Sequence, residues 1–337
     1  MTHRGEFELI ADVFGPLADN PSALNLGDDG AIVPTRVGMD LVVTTDAMVE
    51  GRHFAADFPP GLLAQKLLRS NLSDLAAMGA DPSAYTLTVA LPTPPPEDWI
   101  EKFAQGLGQD QDRYGLALIG GDTVAATGDH DKWFSVTMFG HVETGEALRR
   151  NGARAGDAIY VSGTIGDAMI GFDIGDGKLG QETLGGGQLA ALDADSAGFL
   201  KNRFFLPSPR VKLGQRLHGL ATATVDISDG LVADLGHICE QSGVGAKILA
   251  DNVPLSDAAA KALALDPNIA HRRLTWGEDY ELVFTANPSV HEAIDQLSQR
   301  LGAGITQIGK ITEDQHIRVM DQSGQAISFE SAGYQHF

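Results

Sequence analysis

The chain has 337 residues and a formal net charge of −21 at pH 7, from 45 acidic and 24 basic side chains. That balance excludes a general nucleic-acid binder and docking on an anionic bilayer, both of which require a basic face. The 43% hydrophobic and 20% charged residues are those of a globular chain, and the single cysteine, Cys239, excludes an internal disulfide and a thiolate metal cluster. In chain order, β-branched Leu41–Thr45 predicts a strand. Leu62–Gly79 carries Leu63, Leu67, Leu68, Leu72, Leu75 and Met78 at helical spacing and closes on Gly79. Ala84–Leu91 reads as a strand, Thr93–Pro96 as a Pro-rich turn and Glu97–Tyr114 as a helix. Leu116–Ile119 and Phe134–Val142 read as strands, which completes an alternating first domain.

Asn151–Asp157 is polar and turn-rich and marks a boundary, after which Ala158–Ser162 opens a second run of elements. Helices are expected over Pro209–Leu220, Gly230–Ser242 and Ser289–Leu301. Strands are expected at Glu281–Thr285, Ile305–Ile311 and His316–Met320, and Gly175–Gly187 is a Gly-rich loop. No apolar run reaches the ~18 residues of a membrane span, and Met1–Leu9 is charged, without a signal-peptide core. The expectation is a two-domain, α+β or α/β, soluble cytoplasmic protein that binds neither nucleic acid nor membrane.

The usual nucleotide and hydrolase motifs are missing: the P-loop, the dinucleotide G-x-G-x-x-G, H-E-x-x-H, C-x-x-C and G-x-S-x-G. Asp193–Gly198 echoes a calcium loop but fails at Phe204, where a carboxylate belongs. Instead, the chain is rich in glycine, with 40, and six segments place acids beside glycine, serine or threonine. These are Gly27-Asp28-Asp29-Gly30, Thr44-Thr45-Asp46, Asn71-Leu72-Ser73-Asp74, Gly120-Gly121-Asp122-Thr123, Asp226-Ile227-Ser228-Asp229-Gly230 and Gly277-Glu278-Asp279-Tyr280-Glu281.

Singly, each segment reads as a turn or a helix cap; Asp226 or Ser228, for example, is placed to cap a helix that starts near Leu231. Asn71 and Asp74 share one helix face, which could be the solvated one. Jointly they point to a cation. Like charges ~4 Å apart repel by about 4 kcal/mol at an effective dielectric near 20, so carboxylates that converge need shifted pKa values or a metal. Oxygen donors without a Cys or His set select Mg²⁺ or Mn²⁺ over zinc. The residues therefore suggest a metal-dependent nucleotide or phosphoryl enzyme without a P-loop.

In this order the segments resemble the thiamine-monophosphate kinase family. The resemblance runs from Gly5-Glu6-Phe7 to Gly333-Tyr334-Gln335-His336-Phe337. Thr44-Thr45-Asp46 with Glu50-Gly51-Arg52-His53-Phe54 matches one signature, and Asn71–Ala80 is the most distinctive stretch. The resemblance implies a fold shared with aminoimidazole ribonucleotide synthetase and selenophosphate synthetase, with an active site in the cleft between domains. Residues 1–148 would bind ATP and metal and pair into a homodimer; 149–337 would bind substrate and close on the nucleotide. It implies a kinase that turns ATP and thiamine monophosphate into ADP and thiamine diphosphate.

By motif, Asp29, Thr44, Thr45, Asp46, Asp74, Asp122, Asp226 and Asp229 would hold several Mg²⁺ ions, and a monovalent cation is a further candidate. Gly121, Asp122, Arg150 and Ser228 would contact ATP; His53, Glu278 and Tyr334 would contact the thiamine substrate; Asp46, Asp122 and Arg150 would carry the catalysis. Trp276 stands where the family usually has glycine, before Gly277. The alternatives are a ring-closing or selenophosphate synthetase of the same superfamily, or a non-catalytic Mg-nucleotide scaffold. A selenophosphate synthetase uses a reactive residue near its N-terminus, whereas Cys239 lies mid-chain in an expected helix.

Overall fold

Four strands build the first sheet: β1 (Met39–Val49), β2 (Asp81–Leu91), β3 (Ala117–Ala125) and β4 (Trp133–Glu143), in the order β1-β4-β2-β3. The computed structural model describes residues 6–26, 30–92, 97–126, 132–175, 186–329 and 331–334. The expected Thr93–Pro96 turn and most of the Gly-rich loop lie outside them, as do Asp28, Asp29 and the last three residues. β4 is antiparallel to β1 and to β2, whereas β2 and β3 are parallel and joined by helix Glu97–Tyr114. The strands run past their expected apolar cores because ladder bonds are made by main chain, and the polar Gly120–Thr123 stretch pairs with β2 as well as Ala117–Leu118 does.

Helix Pro60–Ala77 is buried all round. Leu63, Leu67, Leu68, Leu72 and Leu75 are fully covered, and so are Lys66, Arg69, Asn71 and Ser73. Buried charge there is paired: Arg69 grips Asp110 of the next helix with two hydrogen bonds, 2.7 and 2.8 Å, and Gln65 adds a third at 3.0 Å.

The second sheet has seven strands: β5 (Ala158–Ser162), β6 (Ala221–Asp226), β7 (Gly245–Leu249), β8 (Leu282–Ala286), β9 (Ile305–Thr312), β10 (Ile317–Met320) and β11 (Ala326–Ile327). Their order is β11-β10-β7-β9-β5-β8-β6, antiparallel except for β10 with β7. β5 and β8 are buried on both faces. Alternation sends Ile159, Val161 and Val283 into one core with the Leu231–Ser242 helix, and Tyr160, Leu282 and Phe284 into another with Leu213 and Ile294.

Pro209–Leu220 is not the expected helix. Only Val211–Gly214 is helical, and Arg216, Leu217 and Leu220 then close i→i+3 turns that bury Leu213 and Leu217 without a continuous helix. Strands β6, β7 and β11 and helices Asp167–Ile174, Ala194–Phe205, Asp257–Leu265 and Ile269–Thr275 go unnamed in the sequence reading. Asp193 caps the second of these helices, accepting from the Ser196 amide, where the calcium-loop echo had failed.

The chain divides into two compact units. One comprises Met1–Leu75 and Asp81–Gly145; the other comprises Ala76–Ala80, Glu146–Gly177 and Glu182–Phe337. Among the described residues no helix is long and apolar enough to cross a membrane.

Candidate active site

In the first unit β1 turns Thr44, Asp46 and Met48 inward and Thr45 and Ala47 outward. Thr44 Oγ1 donates a very short hydrogen bond to Asp74 Oδ2 on the buried helix. The Asn71–Asp74 face is therefore not the solvated one. Asn71 is fully buried, its Nδ2 donates to the Leu67 carbonyl at 2.9 Å, and its Oδ1 has no hydrogen-bond partner among the described residues.

Thr45 looks the other way, donating to the Val136 carbonyl at 3.0 Å and accepting from Thr137 Oγ1 at 3.2 Å. Its side chain cannot join those of Thr44 and Asp46 on one ion. His53 Nδ1 accepts from the Val49 amide at 3.0 Å, which leaves the ring proton on Nε2.

Gly121 sits where a Cβ would lie 1.9 Å from the Leu87 carbonyl oxygen, so only glycine lets β3 approach β2 this closely. Asp122 beside it is exposed and lines a cavity of about 130 Å³ together with Leu26, Gly30 and Leu87. Asp46 shares a register row with Gly121, three strand steps away. At ~4.8 Å a step the backbones stand about 14 Å apart, too far for Asp46 and Asp122 of one chain to share an ion bound at ~2.1 Å. Asp29 lies outside the described residues.

In the second unit three of the sequence-flagged segments meet main chain to main chain. The Glu278 amide donates to the Ser228 carbonyl and the Tyr280 amide to the Ile227 carbonyl, both at 2.9 Å, while the Ile227 amide donates to the Glu281 carbonyl at 2.8 Å. The Tyr334 amide donates to the Asp229 carbonyl at 3.1 Å. Any side chain on Gly277 would put Cβ 1.7 Å from the Ser228 carbonyl oxygen. Glu278 and Tyr280 hold left-handed φ values of 70° and 50°, a conformation that costs about 1–3 kcal/mol for a residue with a Cβ. Asp226, Ser228, Asp229, Glu278 and Tyr334 are thus brought together.

The expected cap is replaced. Neither Asp226 nor Ser228 caps helix Leu231–Ser242; Asp234, in its first turn, accepts from the amides of Ser228, Asp229 and Gly230 at 3.0–3.1 Å. Burial and the neighbouring Asp229 charge push Asp234 up to about 7, against the pull of those amides.

Arg150 is exposed, and its carbonyl meets Ser242 Oγ at 3.4 Å, at the C-terminal end of that 12-residue helix. The helix spans about 18 Å, so the Arg150 backbone stands apart from the Ser228 cluster. Trp276 rests on Phe172 and Phe204, with ring centres 5.4 and 6.4 Å away, and is half-buried.

A layer behind Glu278 escapes the sequence reading. Glu281 is fully buried and accepts from Ser162 Oγ at 2.6 Å, from Arg203 Nη2 at 2.9 Å and from Arg210. Asp279 accepts from the Gly166 and Ala168 amides, and burial pushes it up to about 8 although Arg203 and those amides pull it down. The acids were visible beside Tyr280, but nothing in the sequence joins them to arginines far upstream. Within each unit, no three His, Cys, Asp or Glu side chains among the described residues cluster closely enough to hold an ion alone.

Residues 27–142 match the family AIR synthase related protein, N-terminal domain, and residues 154–322 match AIR synthase related protein, C-terminal domain. The thiamine-monophosphate kinase of Escherichia coli (strain K12) is 40% identical over 99% of this chain and 98% of that protein. The chain belongs to the thiamine-monophosphate kinase family. Among solved structures, the thiamine-monophosphate kinase from Stenotrophomonas maltophilia K279a is 38% identical, with a TM-score of 0.82 over 97% of this chain and 100% of that one. A structure of AaThiL complexed with AMPPCP and TMP is 28% identical, with a TM-score of 0.75 over 100% of both chains. Both are kinase-family likenesses at the level of the whole chain, not of a single motif.

The docking of Gly277 is directly testable. Gly277→Ala is expected to lose about 1–3 kcal/mol in chemical denaturation, because the Ser228 carbonyl is main chain and cannot yield. Gly198→Ala, on a helix face with nothing within 4 Å, is expected to gain about 0.5–1 kcal/mol. A Gly277→Ala protein as stable as the wild type contradicts the docking geometry.

Proposed function

We propose that this protein phosphorylates thiamine monophosphate with ATP, giving thiamine diphosphate and ADP. The observation that carries the reading is the full-length likeness to AaThiL complexed with AMPPCP and TMP, an ATP analogue and an acceptor held by one fold. In a thiamine-monophosphate kinase family TMP is thiamine monophosphate. Residues 1–148 carry most of the metal groups and part of the nucleotide site, and 149–337 carry most of the acceptor groups and close on the nucleotide.

In this reading Gly121, Asp122, Arg150 and Ser228 contact the nucleotide, and His53, Glu278 and Tyr334 contact thiamine monophosphate. Gly121 is exposed, which leaves its main chain open to a phosphate, and the exposed Arg150 guanidinium suits the same anion. The donors fit Mg²⁺: Thr44, Asp46 and Asp74 offer only oxygen on one side of β1, and Asp226 and Asp229 flank the Glu278 cluster. Asp29 and Asp122 complete the set, and Thr45 belongs to it only through its main chain. Because no three His, Cys, Asp or Glu side chains cluster among the described residues of either unit, phosphate oxygens and water would complete the coordination, as is usual for Mg²⁺. When bound, Mg²⁺ neutralises the phosphate charge that shifts in the transition state.

The acceptor is a phosphate oxygen already ionised at pH 7, so no side chain has to remove a proton. The γ-phosphoryl group passes in line to that oxygen as its bond to the ADP oxygen breaks, without a phospho-enzyme. Asp46, Asp122 and Arg150 act by holding charge in place, and the rate comes from positioning and electrostatics.

The working unit in this reading is a homodimer. Leu41, Val43 and Val49 of β1 and Trp133 of β4 lie on one face of the first sheet, and all are more than a third exposed. Such a patch marks an interaction surface, and a second copy pairing sheet to sheet would cover it.

Purified protein incubated with ATP, thiamine monophosphate and Mg²⁺ is expected to form thiamine diphosphate and ADP in equal amounts, and none without the metal. ADP and free phosphate without thiamine diphosphate would sink the reading. Asp46→Asn is expected to lower kcat at least ~100-fold with the fold intact; near-wild-type turnover at saturating Mg²⁺ removes Asp46 from the metal site. Val43→Arg is expected to halve the mass seen by light scattering to the 35.6 kDa of one chain, and a wild type already at that mass refutes the dimer.

A further inference from the structure

We propose that Arg203 is a positioning residue that staples the turn carrying Glu278 and so sets the affinity for thiamine monophosphate. The inference rests on the assignment of Glu278 to that acceptor.

Arg203 Nη2 donates twice, to the Asp279 carbonyl at 3.3 Å and to Glu281 Oε1 at 2.9 Å. The two acceptors flank Tyr280, whose φ is 50°, and Glu278 just before them has a φ of 70°. Two residues with a Cβ in the left-handed region, one residue apart, relax to ordinary backbone unless both sides are anchored. The anchors are visible. The Asp279 carboxylate is held by the Gly166 and Ala168 amides, and the Glu281 carboxylate by Ser162 and Arg210 as well as Arg203. Upstream, the Glu278 amide is tied to Ser228 and the Tyr280 amide to Ile227.

Arg203 joins the Glu281 carboxylate to the backbone of the turn. Arg210 bonds the same carboxylate through Nε and Nη2. The two arginines therefore divide the work. Arg210, with Ser162, keeps the buried Glu281 charge compensated if Arg203 is changed, whereas Arg203 ties that charge to the Asp279 carbonyl. A turn released at that carbonyl can relax at Tyr280, and the Glu278 side chain moves with it. The contact of the turn with Ser228 is made by the Glu278 amide, upstream of the released carbonyl, and stays in place, so the effect falls chiefly on thiamine monophosphate.

The test is steady-state kinetics of Arg203→Lys and Arg210→Lys, with each substrate varied in turn. Lysine keeps the positive charge but lacks the planar fork. Arg203→Lys is expected to raise KM for thiamine monophosphate about tenfold, with KM for ATP and kcat within about threefold of wild type. Arg210→Lys is expected to leave KM for thiamine monophosphate within about twofold. An unchanged KM in Arg203→Lys, an equal rise for both substrates, or the same rise in Arg210→Lys overturns the proposal.

If Arg203→Lys does not fold, hydrogen exchange on the wild type decides. The amides of Glu278 and Tyr280 are expected to be protected before thiamine monophosphate is added; fast exchange that slows only on its addition overturns the staple. A wild type that makes no thiamine diphosphate overturns the functional reading and this inference with it, whereas an active wild type with an unaltered Arg203→Lys overturns the inference alone.

Discussion

Main chain pressed on main chain is the constraint from which the second unit's site follows. Ile227–Asp229 and Gly277–Glu281 exchange three backbone hydrogen bonds, and Gly277 has no room for a Cβ against Ser228. Backbone contacts of this kind leave little conformational freedom, so the side chains that leave the two strands of contact, Asp229 and Glu278 among them, start from fixed points. Tyr334 is added by one further bond to Asp229. The left-handed turns at Glu278 and Tyr280 are the cost of that arrangement, offset by the buried Asp279 and Glu281 contacts behind them.

Charge runs through the rest. A chain of net charge −21 handling two phosphate-bearing substrates has to offset repulsion locally. Two devices do so in different places. Buried acids are matched by arginine, as at Glu281 with Arg203 and at Asp110 with Arg69. Asp122, on β3, is instead exposed and lines a cavity, which suits it to a bound cation.

Much of this was legible from the sequence. The apolar strand Ala158–Ser162 and the Glu97–Tyr114 helix stand where the sequence places them. The glycine–acid segments mark loop positions that the fold does bring together, at Ser228, Glu278 and Tyr334. The misses have local causes. Pro209–Leu220 has helical apolar spacing but is closed by short turns, because its leucines are buried by tertiary packing rather than by a helix face. The Asn71–Asp74 face was open to a solvated reading because one sequence cannot show what covers a polar face. Thr45 was grouped with Thr44 by adjacency, although neighbouring residues of a strand point to opposite faces. Arg203 and Arg210 were invisible because the acid they serve is distant in the chain.

The most direct measurement is a structure of the protein with AMPPCP, Mg²⁺ and thiamine monophosphate bound together. The account predicts the thiamine substrate against Glu278 and Tyr334, with the Ile227–Asp229 and Gly277–Glu281 contacts unmoved by more than about 1 Å. Thiamine monophosphate bound away from those residues, or a Gly277–Glu281 segment that forms its contacts only in the complex, would contradict it.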